Sequence, residues 1–557
     1  MAVRINNIKL TVDHSQADLI LAIEKKLKTP FNKVKDYKIH KRSIDARKKN
    51  NVMFIYQIEL DLTIDETILV NKLHDQDVHI ARSRKEPEAI LHGSKMLQQQ
   101  PIVIGAGPAG IFAALKLAEH GYQPLVLERG SDVEKRKQDI LDFWKSGKLN
   151  VNSNVQFGEG GAGTFSDGKL TTRTHDPRID QVFQTLVNEG APKEIIYEHK
   201  PHIGTDKLQQ VVVNLRKKLL KMGGTIKFNS LVTKIIIEQN KITAIEVNNQ
   251  VQIPAQVVIL AIGHSARDTY EMLYRQGVVL EPKSLAIGVR IEHPQSLINK
   301  AQYGAFAESP QLGAADYTLI KKTGNHPDER AVYSFCMCPG GVVVAAASEK
   351  EAVVTNGMSY YNRASGVANS ALVATISTDD FKGEDPLAGV RYLRKYEKKA
   401  YQLGGGGYKA PAQKVGDFLA GKESNELLAA FSPTYQPGVT PTDLHQALPH
   451  FVSKSLETAI IDFGKKLKGY DNKDAILTGI ETRTSAPVRI PREGNFQATN
   501  LEGLFPAGEG AGYAGGIVSA AVDGLRVAEG IINSYQRPRN KINEEQLRWE
   551  DISEQTE

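Results

Sequence analysis

The sequence predicts an α/β fold: a Rossmann-like dinucleotide-binding domain interrupted by an inserted α+β domain and preceded by a small α+β module. Three observations lead there. A glycine fingerprint, Gly105-Ala106-Gly107-Pro108-Ala109-Gly110, stands between a strand-like and a helix-like run, and a second glycine-rich segment, Gly503 to Gly510, lies near the far end of the chain. The chain has 557 residues, 41% hydrophobic and 24% charged, which is length enough for two or three domains and the composition of a globular protein.

Residues 1–95 read as a small basic module. A strand runs from Ile8 to Val12, a helix from Gln16 to Leu27, and two strands lie around Tyr37 to His40 and Val52 to Leu60. The first 60 residues hold 13 Lys or Arg against 6 Asp or Glu, clustered from Lys33 to Lys49, whereas the whole chain is only +6. Such a module could bind RNA, an acidic partner or an anionic membrane surface. Few aromatics interleave with the basic residues and no nucleic-acid motif is present, so a solvated positive face is the preferred reading over a nucleic-acid partner.

The dinucleotide-binding domain is expected at 99–285 and again at 476–536. Pro101 to Ile104 reads as a buried strand and Ile111 to Ala118 as an apolar-periodic helix, so strand, glycine turn and helix are in order. In such a unit Gly105 permits the tight turn, Gly107 lets backbone approach a pyrophosphate, and Gly110 lets helix pack closely on strand. Pro108 and Ala109 begin the helix, whose N-terminus offers N–H groups and partial positive charge to phosphates. The next strand, Pro124 to Leu127, ends at Glu128-Arg129-Gly130, where an acid accepts hydrogen bonds from ribose hydroxyls.

The stretch from Gly158 to Lys169 is too polar and glycine-rich for a core strand. It contains Gly160, Gly161, Thr164, Ser166, Asp167 and Gly168, and is expected to pass close to a bound cofactor, the alternative being a surface loop. Short β runs from Val232 to Ile236 and from Ile242 to Val247 precede a strand, Gln256 to Ile262, that ends at Gly263. Val232 and Gly263 are counted among the cofactor contacts. Residues 286–475 are expected to form the inserted domain that covers the ligand and shapes a substrate pocket. In the second part of the dinucleotide domain, Leu501 to Phe505 reads as a strand, Gly508-Glu509 as a turn, and Gly515-Gly516-Ile517 as the start of a helix. Residues 537–557 read as a polar tail.

The second fingerprint resembles the C-terminal motif of the glutathione-reductase-like FAD fold. The resemblance implies FAD, with Glu509 on the ribityl chain and the helix N-terminus at Ile517 facing the flavin pyrimidine, where a helix dipole favours negative charge. Glu509 stands where that superfamily more often has Asp. The segments Ser43 to Lys49, Gly158 to Leu170, Phe335 to Gly341, Glu481 to Arg489 and Phe505 to Ile517 resemble a bacterial family described as uncharacterised FAD-dependent dehydrogenases. That resemblance covers most of the chain and implies fold and cofactor; it supplies no substrate.

A second GxGxxG is absent from the middle of the chain, and Gly404 to Gly407 lacks the spacing, so no dedicated NAD(P) domain is expected, and NAD(P)H as an electron donor would have to visit the flavin transiently. The tetraglycine reads equally as a lid hinge, a backbone approach to ligand, or a plain turn. Arg483 and Arg489 are candidates for holding an anionic substrate or the reduced flavin, with structural ion pairing as the alternative, and Lys169 is a similar case. Cys336 and Cys338, the only cysteines, could exchange electrons as a dithiol, or could be small apolar residues in a sheet; nothing basic lies beside them in sequence. His264 is read as a cofactor contact or turn cap, His293, His445 and His450 as structural, and Asn356 to Ser359 as a turn.

Two function classes follow. One is a cytoplasmic FAD-dependent oxidoreductase passing hydride or electrons between the flavin and an anionic small molecule. The other is a flavoprotein acting on a macromolecule, either an RNA through the basic module or a protein disulfide through Cys336 and Cys338. No apolar run approaches the roughly 18 residues of a membrane span, no signal-peptide core opens the sequence, and no Cys/His spacing suits a metal.

Overall fold

The computed structural model describes residues 2–81, 90–324, 329–381, 385–427 and 431–549. It is a mixed α/β structure with a Rossmann-like domain at its centre. Five short parallel strands form that domain's sheet, in the order Leu504–Pro506, Val258–Leu260, Ile102–Ile104, Leu125–Leu127, Thr225–Lys227. Alternation along each strand supplies both faces. Val103, Val126, Ile259 and Phe505 pack beneath the helices Pro108–Glu119, Thr205–Lys221 and Ile517–Ser534. Ile102, Ile104, Leu125, Leu127 and Leu260 face the other way, against the meander of strands Val232–Glu238, Lys241–Val247 and Val251–Pro254.

The N-terminal module is a four-stranded sheet in the order Val34–Asp45, Met53–Leu62, Val3–Thr11, Val78–Ile80, with helix Gln16–Leu27 capped by a reciprocal Ser15–Asp18 pair. A second helix, Glu66–Leu73, and the edge strand Val78–Ile80 were not anticipated; both are too short to show a clear period. The basic strand Val34–Asp45 spends part of its charge inside the chain. Arg42 exchanges backbone hydrogen bonds with Tyr197 and His199, and its Nε donates to Glu198 at 2.7 Å. At the end of the same basic stretch, Lys49 donates to the Gln302 carbonyl.

The insert is built on a seven-stranded sheet in the order Ile320–Thr323, Arg330–Cys338, Val367–Ile376, Leu285–Pro294, Ile476–Glu481, Ala410–Lys414, Val439–Pro441. This moves the expected seam at 475. Ile476–Glu481, six consecutive buried residues, pairs with Leu285–Pro294 and Ala410–Lys414 in the middle of this sheet, not with the dinucleotide domain. Asn356 to Met358 belongs to a strand, Thr355–Met358, where a turn was expected; Gly357 is required there because a Cβ would overlap the Arg290 guanidinium. The tetraglycine is a plain turn after helix Ala388–Leu403, with Gly405, Gly406 and Gly407 at positive φ. Residues 537–549 are not a free tail. Ile542 and Leu547 are buried against the meander side of the sheet, and Arg539 and Asn540 bond to the backbone of Leu97 and Gln98. The rest of the expected tail, from residue 550, lies outside the described residues. Among the described residues no helix is long and apolar enough to cross a membrane.

Glu292, on strand Leu285–Pro294, is fully buried, with Thr434 donating to it through backbone N and Oγ1 at 3.1 and 2.6 Å. Burial pushes its carboxyl up to about 7. A folded-state value raised above the unfolded one contributes stability at acid pH that is lost as pH rises through about 7. Glu292→Gln should therefore reduce the fall in unfolding free energy between pH 5 and pH 8 by roughly 3 kcal/mol. Urea titrations at the two pH values check this; an unchanged difference would contradict it.

Candidate functional site

Strand Ile102–Ile104 ends in a turn that only glycine can make. Gly105 has φ +100°, and a Cβ there would overlap the Ala261 carbonyl oxygen. Gly107 then caps helix Pro108–Glu119, with Pro108 in its first turn, and a Cβ on Gly110 would overlap the Gly105 carbonyl oxygen. Glu128, from the end of the next strand, closes this corner. One carboxylate oxygen accepts from Ala106 N at 2.8 Å, and the other from Gly130 N and Gly158 N, both at 3.0 Å. Arg129 pairs with Asp268 and lies 4.2 Å over the Phe157 ring.

The glycine-rich stretch is a buried loop, not a surface one. Gly158, Gly160, Gly161 and Gly168 have positive φ, and Gly161 lies against Gly107 so closely that a Cβ would come 3.1 Å from the Gly107 Cα. A residue not anticipated from sequence holds the loop. Arg136, fully buried on helix Val133–Ser146, donates to the carbonyls of Asn154, Val155, Glu159 and Gly161 at 2.6–3.0 Å, and burial lowers its guanidinium to about 10. Thr164 Oγ1 donates to the Glu159 carbonyl and Ser166 Oγ to the Gly163 carbonyl. Asp167, fully buried, is held far below the usual carboxylate range by Lys169, at 2.9 Å, and by Arg363 in a bidentate pair.

The second fingerprint is also fixed by a residue missed in the sequence. Asp523 accepts from Gly508 N at 2.7 Å while holding Arg492 through both oxygens. Glu509 is half-buried on the cavity wall, and desolvation pushes its carboxyl up to about 7 against the opposing charge of Lys283. Gly516, φ +151°, caps helix Ile517–Ser534, and nothing approaches within 4 Å of a Cβ built on Gly515 or Gly516.

These elements line one cavity. Its walls include Gly105, Gly107, Pro108, Ala109, Glu128 and Arg129 from the first fingerprint and strand end, and Gly161, Ser166, Asp167, Gly168 and Lys169 from the glycine loop. Val232, Gly263, Glu509, Gly515, Gly516 and Ile517 complete the dinucleotide side; Phe335, Cys336, Asn356, Arg483 and Thr484 close it from the insert. Gly110, Gly160, Thr164 and Gly508 stand behind the wall and shape it through packing and hydrogen bonds. Arg489 is not brought to the cavity: it is exposed, 5.3 Å over the Tyr513 ring, because the short strand Val488–Arg489 turns it outward.

Arg483 belongs to a buried charge cluster. Glu397, fully buried on helix Ala388–Leu403, takes Arg267 through both oxygens at 2.8 Å and Thr482 Oγ1 at 2.6 Å, and lies 3.3 Å from Arg483 Nε. Arg267 and burial lower the Arg483 guanidinium to about 10, and its Nη1 has no hydrogen-bond partner among the described residues. Beside it, His264 accepts or donates at 2.9 Å with Ser265 Oγ, and burial drives its imidazole down to about 3, so it is neutral.

The two cysteines sit at the end of strand Arg330–Cys338, where the pairing with Val367–Ile376 slips by a bulge between Phe335 and Cys338. Cys336 takes φ +45°, a left-handed conformation rare for a residue with a side chain. Its carbonyl accepts from Arg290 Nη1 at 2.9 Å and from Cys338 Sγ at 3.3 Å. Space supplies the cations that sequence did not. The Cys338 thiol, Lys169 and Arg290 together hold Cys336 well below the usual thiol range, while Cys338 is pushed up.

The residues present fit a flavin dinucleotide. Two helix N-termini open on the cavity, a carboxylate stands at the strand end, and the close approach of Gly161 to Gly107 leaves a cradle that a Cβ would fill.

The chain is similar to several known proteins. Residues 284–484 match a family described as FAD-dependent protein, C-terminal domain-like; residues 103–133 match an NAD(P)-binding Rossmann-like domain, and residues 2–61 a domain of unknown function. A Clostridium beijerinckii protein described as uncharacterized is 51% identical over 539 residues, covering 97% of this chain and 100% of that one. Among solved structures, CtdE in complex with FAD is similar at 12% identity and TM-score 0.33, over 78% of this chain and 88% of that chain. A geranylgeranyl bacteriochlorophyll reductase-like protein of Thermoplasma acidophilum is similar at 13% identity and TM-score 0.33, over 78% and 77%.

Proposed function

The chain belongs to a family of FAD-dependent proteins, and from that premise we propose that it is an oxidoreductase with a FAD domain of the glutathione-reductase type, acting on an anionic small molecule in the cavity beneath the insert. One observation carries the substrate class. Arg483 lines the cavity, is only 7% exposed, and keeps an N–H without an acceptor among the described residues. A buried guanidinium donor left unpaired is costly, and an anionic oxygen entering the cavity satisfies it.

FAD, when bound, supplies a ring that takes up or releases a hydride. The chain's own residues do the rest. Gly105, Gly107 and the helix N-terminus at Pro108 hold the pyrophosphate, and Glu128 has acceptor capacity beyond its three backbone bonds for a ribose hydroxyl. Glu509, neutral below about pH 7, can donate as well as accept. The helix N-terminus at Ile517 and the fixed charge of Arg483 favour negative charge where they face the cavity. Phe335, Cys336 and Asn356 of the insert line the cavity and shape the space left for the substrate.

A nicotinamide serving as electron donor would visit the cavity, since the sequence holds no second dinucleotide fingerprint to hold it elsewhere. Adding NADH and then NADPH to the purified protein without oxygen should bleach the flavin's long-wavelength absorbance. A protein that neither carries FAD nor takes it up on reconstitution sinks the reading as a whole; a flavin untouched by both nucleotides removes the nicotinamide donor.

A further inference from the structure

Holding FAD and an anionic group leaves the Cys336–Cys338 pair without a task. We propose that the pair is a catalytic dithiol, Cys336 attacking and Cys338 resolving, that reduces a low-molecular-weight disulfide entering the cavity. The inference rests on the oxidoreductase reading above for its supply of electrons.

Placement is the first support. Cys336 is part of the cavity wall, in company with Lys169 and Asn356, and Cys338 lies fully buried behind it. In a regular strand residues i and i+2 are about 6.6 Å apart along the chain. The bulge and the left-handed Cys336 fold the segment back, so that Cys338 Sγ donates to the Cys336 carbonyl at 3.3 Å. That brings the second thiol against the backbone of the first, the approach a resolving thiol needs. Charge is the second support. Arg290, fully buried, is anchored by Glu481, Asn369 and Asn356 and grips the Cys336 carbonyl, while Lys169 Nζ has no hydrogen-bond partner among the described residues beyond its ion pair with Asp167. Both cations favour a thiolate at Cys336, and Cys338 keeps its proton. Reach is the third. Cys336 meets the solvent through the cavity, which favours a small disulfide over a protein one.

The chemistry balances. Cys336 thiolate attacks one sulfur of RS–SR′, forming Cys336–S–SR and releasing R′S⁻. Cys338 gives its proton to that thiolate and attacks the Cys336 sulfur, forming the Cys336–Cys338 disulfide and releasing RS⁻. The substrate gains two electrons and the dithiol loses two; a reduced nicotinamide, acting through the flavin, returns them as one hydride, whose single proton restores the Cys338 thiol beside the Cys336 thiolate.

The test uses the FAD-loaded protein without oxygen and Ellman's reagent (DTNB) as the disulfide. One burst should release two thionitrobenzoate ions per chain and leave an internal Cys336–Cys338 disulfide by peptide mass; NAD(P)H should then sustain turnover. Cys338→Ser should stop at a mixed disulfide on Cys336. Independently of turnover, iodoacetamide should alkylate Cys336 at pH 6 at least about tenfold faster than glutathione. An ordinary alkylation curve centred near pH 8.5, or adducts left on both cysteines with no internal disulfide, overturns the proposal. Bleaching by nicotinamide with no disulfide turnover removes the dithiol and leaves the flavin reading standing; a burst and internal disulfide without bleaching leaves the dithiol standing and removes the nicotinamide donor. Turnover with insulin disulfides but not with hydroxyethyl disulfide overturns the small-molecule class.

Discussion

Glu397→Gln should lower the unfolding free energy by about 3–5 kcal/mol, because it breaks a buried charge cluster by removing the one partner that both guanidiniums share. Glu397 is fully buried; the side chains of Arg267 and Arg483 are 1% and 3% exposed, and among the described residues Glu349, at 26%, is the only other carboxylate that pairs with both. Without Glu397 two fixed positive charges face each other in a dry site. The Glu397 carboxyl is held down at about 2, so its contribution is present above the unfolded value, near 4.5, and is lost as pH falls through about 2. The gap between the parent and the variant should therefore be full at pH 7 and narrow towards pH 3. Urea denaturation at both values decides it; a loss below 1 kcal/mol at pH 7 would mean that solvent screens the cluster.

Gly110→Ala should weaken FAD binding by about 10–100-fold, the equivalent of 1–3 kcal/mol of overpacking concentrated at one turn. The added methyl has nowhere to go: it meets the Gly105 carbonyl oxygen, which belongs to the same turn that approaches the pyrophosphate. Gly524, on helix Ile517–Ser534, is similarly packed on the Ala109 carbonyl, so the two helices whose N-termini open on the cavity are locked backbone to backbone. Titrating apo-protein with FAD by fluorescence quenching measures the effect. An unchanged dissociation constant would show that the turn can yield without cost.

What the sequence reveals is what chain neighbours decide. The first fingerprint was legible because strand, glycines, helix and Glu128 all fall within one short stretch. The glycine loop was legible as a close approach, since positive φ is a local demand. Charge environments were not. Cys336 has no basic neighbour in sequence, yet Lys169 and Arg290 reach it from other segments. For Arg483 the sequence left an anion contact and a structural ion pair both open, and only the fold places Glu397, on a distant helix, beside it. Arg136 and Asp523 carry no motif, and only the fold reveals that each ties down a glycine turn. The seam at 475 was misplaced because an all-buried strand such as Ile476–Glu481 reads the same in either sheet.

The N-terminal module acts as a mechanical brace. Arg42, on its basic strand, is stitched to residues 197–199, which follow the core residue Ile195 of the dinucleotide-binding domain, and Lys49, beyond the strand's end, meets Gln302 and Gly304 of the insert. A strut fastened at both ends permits no shear between the pieces it joins unless a fastening gives way. None of the module's described residues lines the cavity, so its fastenings bear on the cleft from outside.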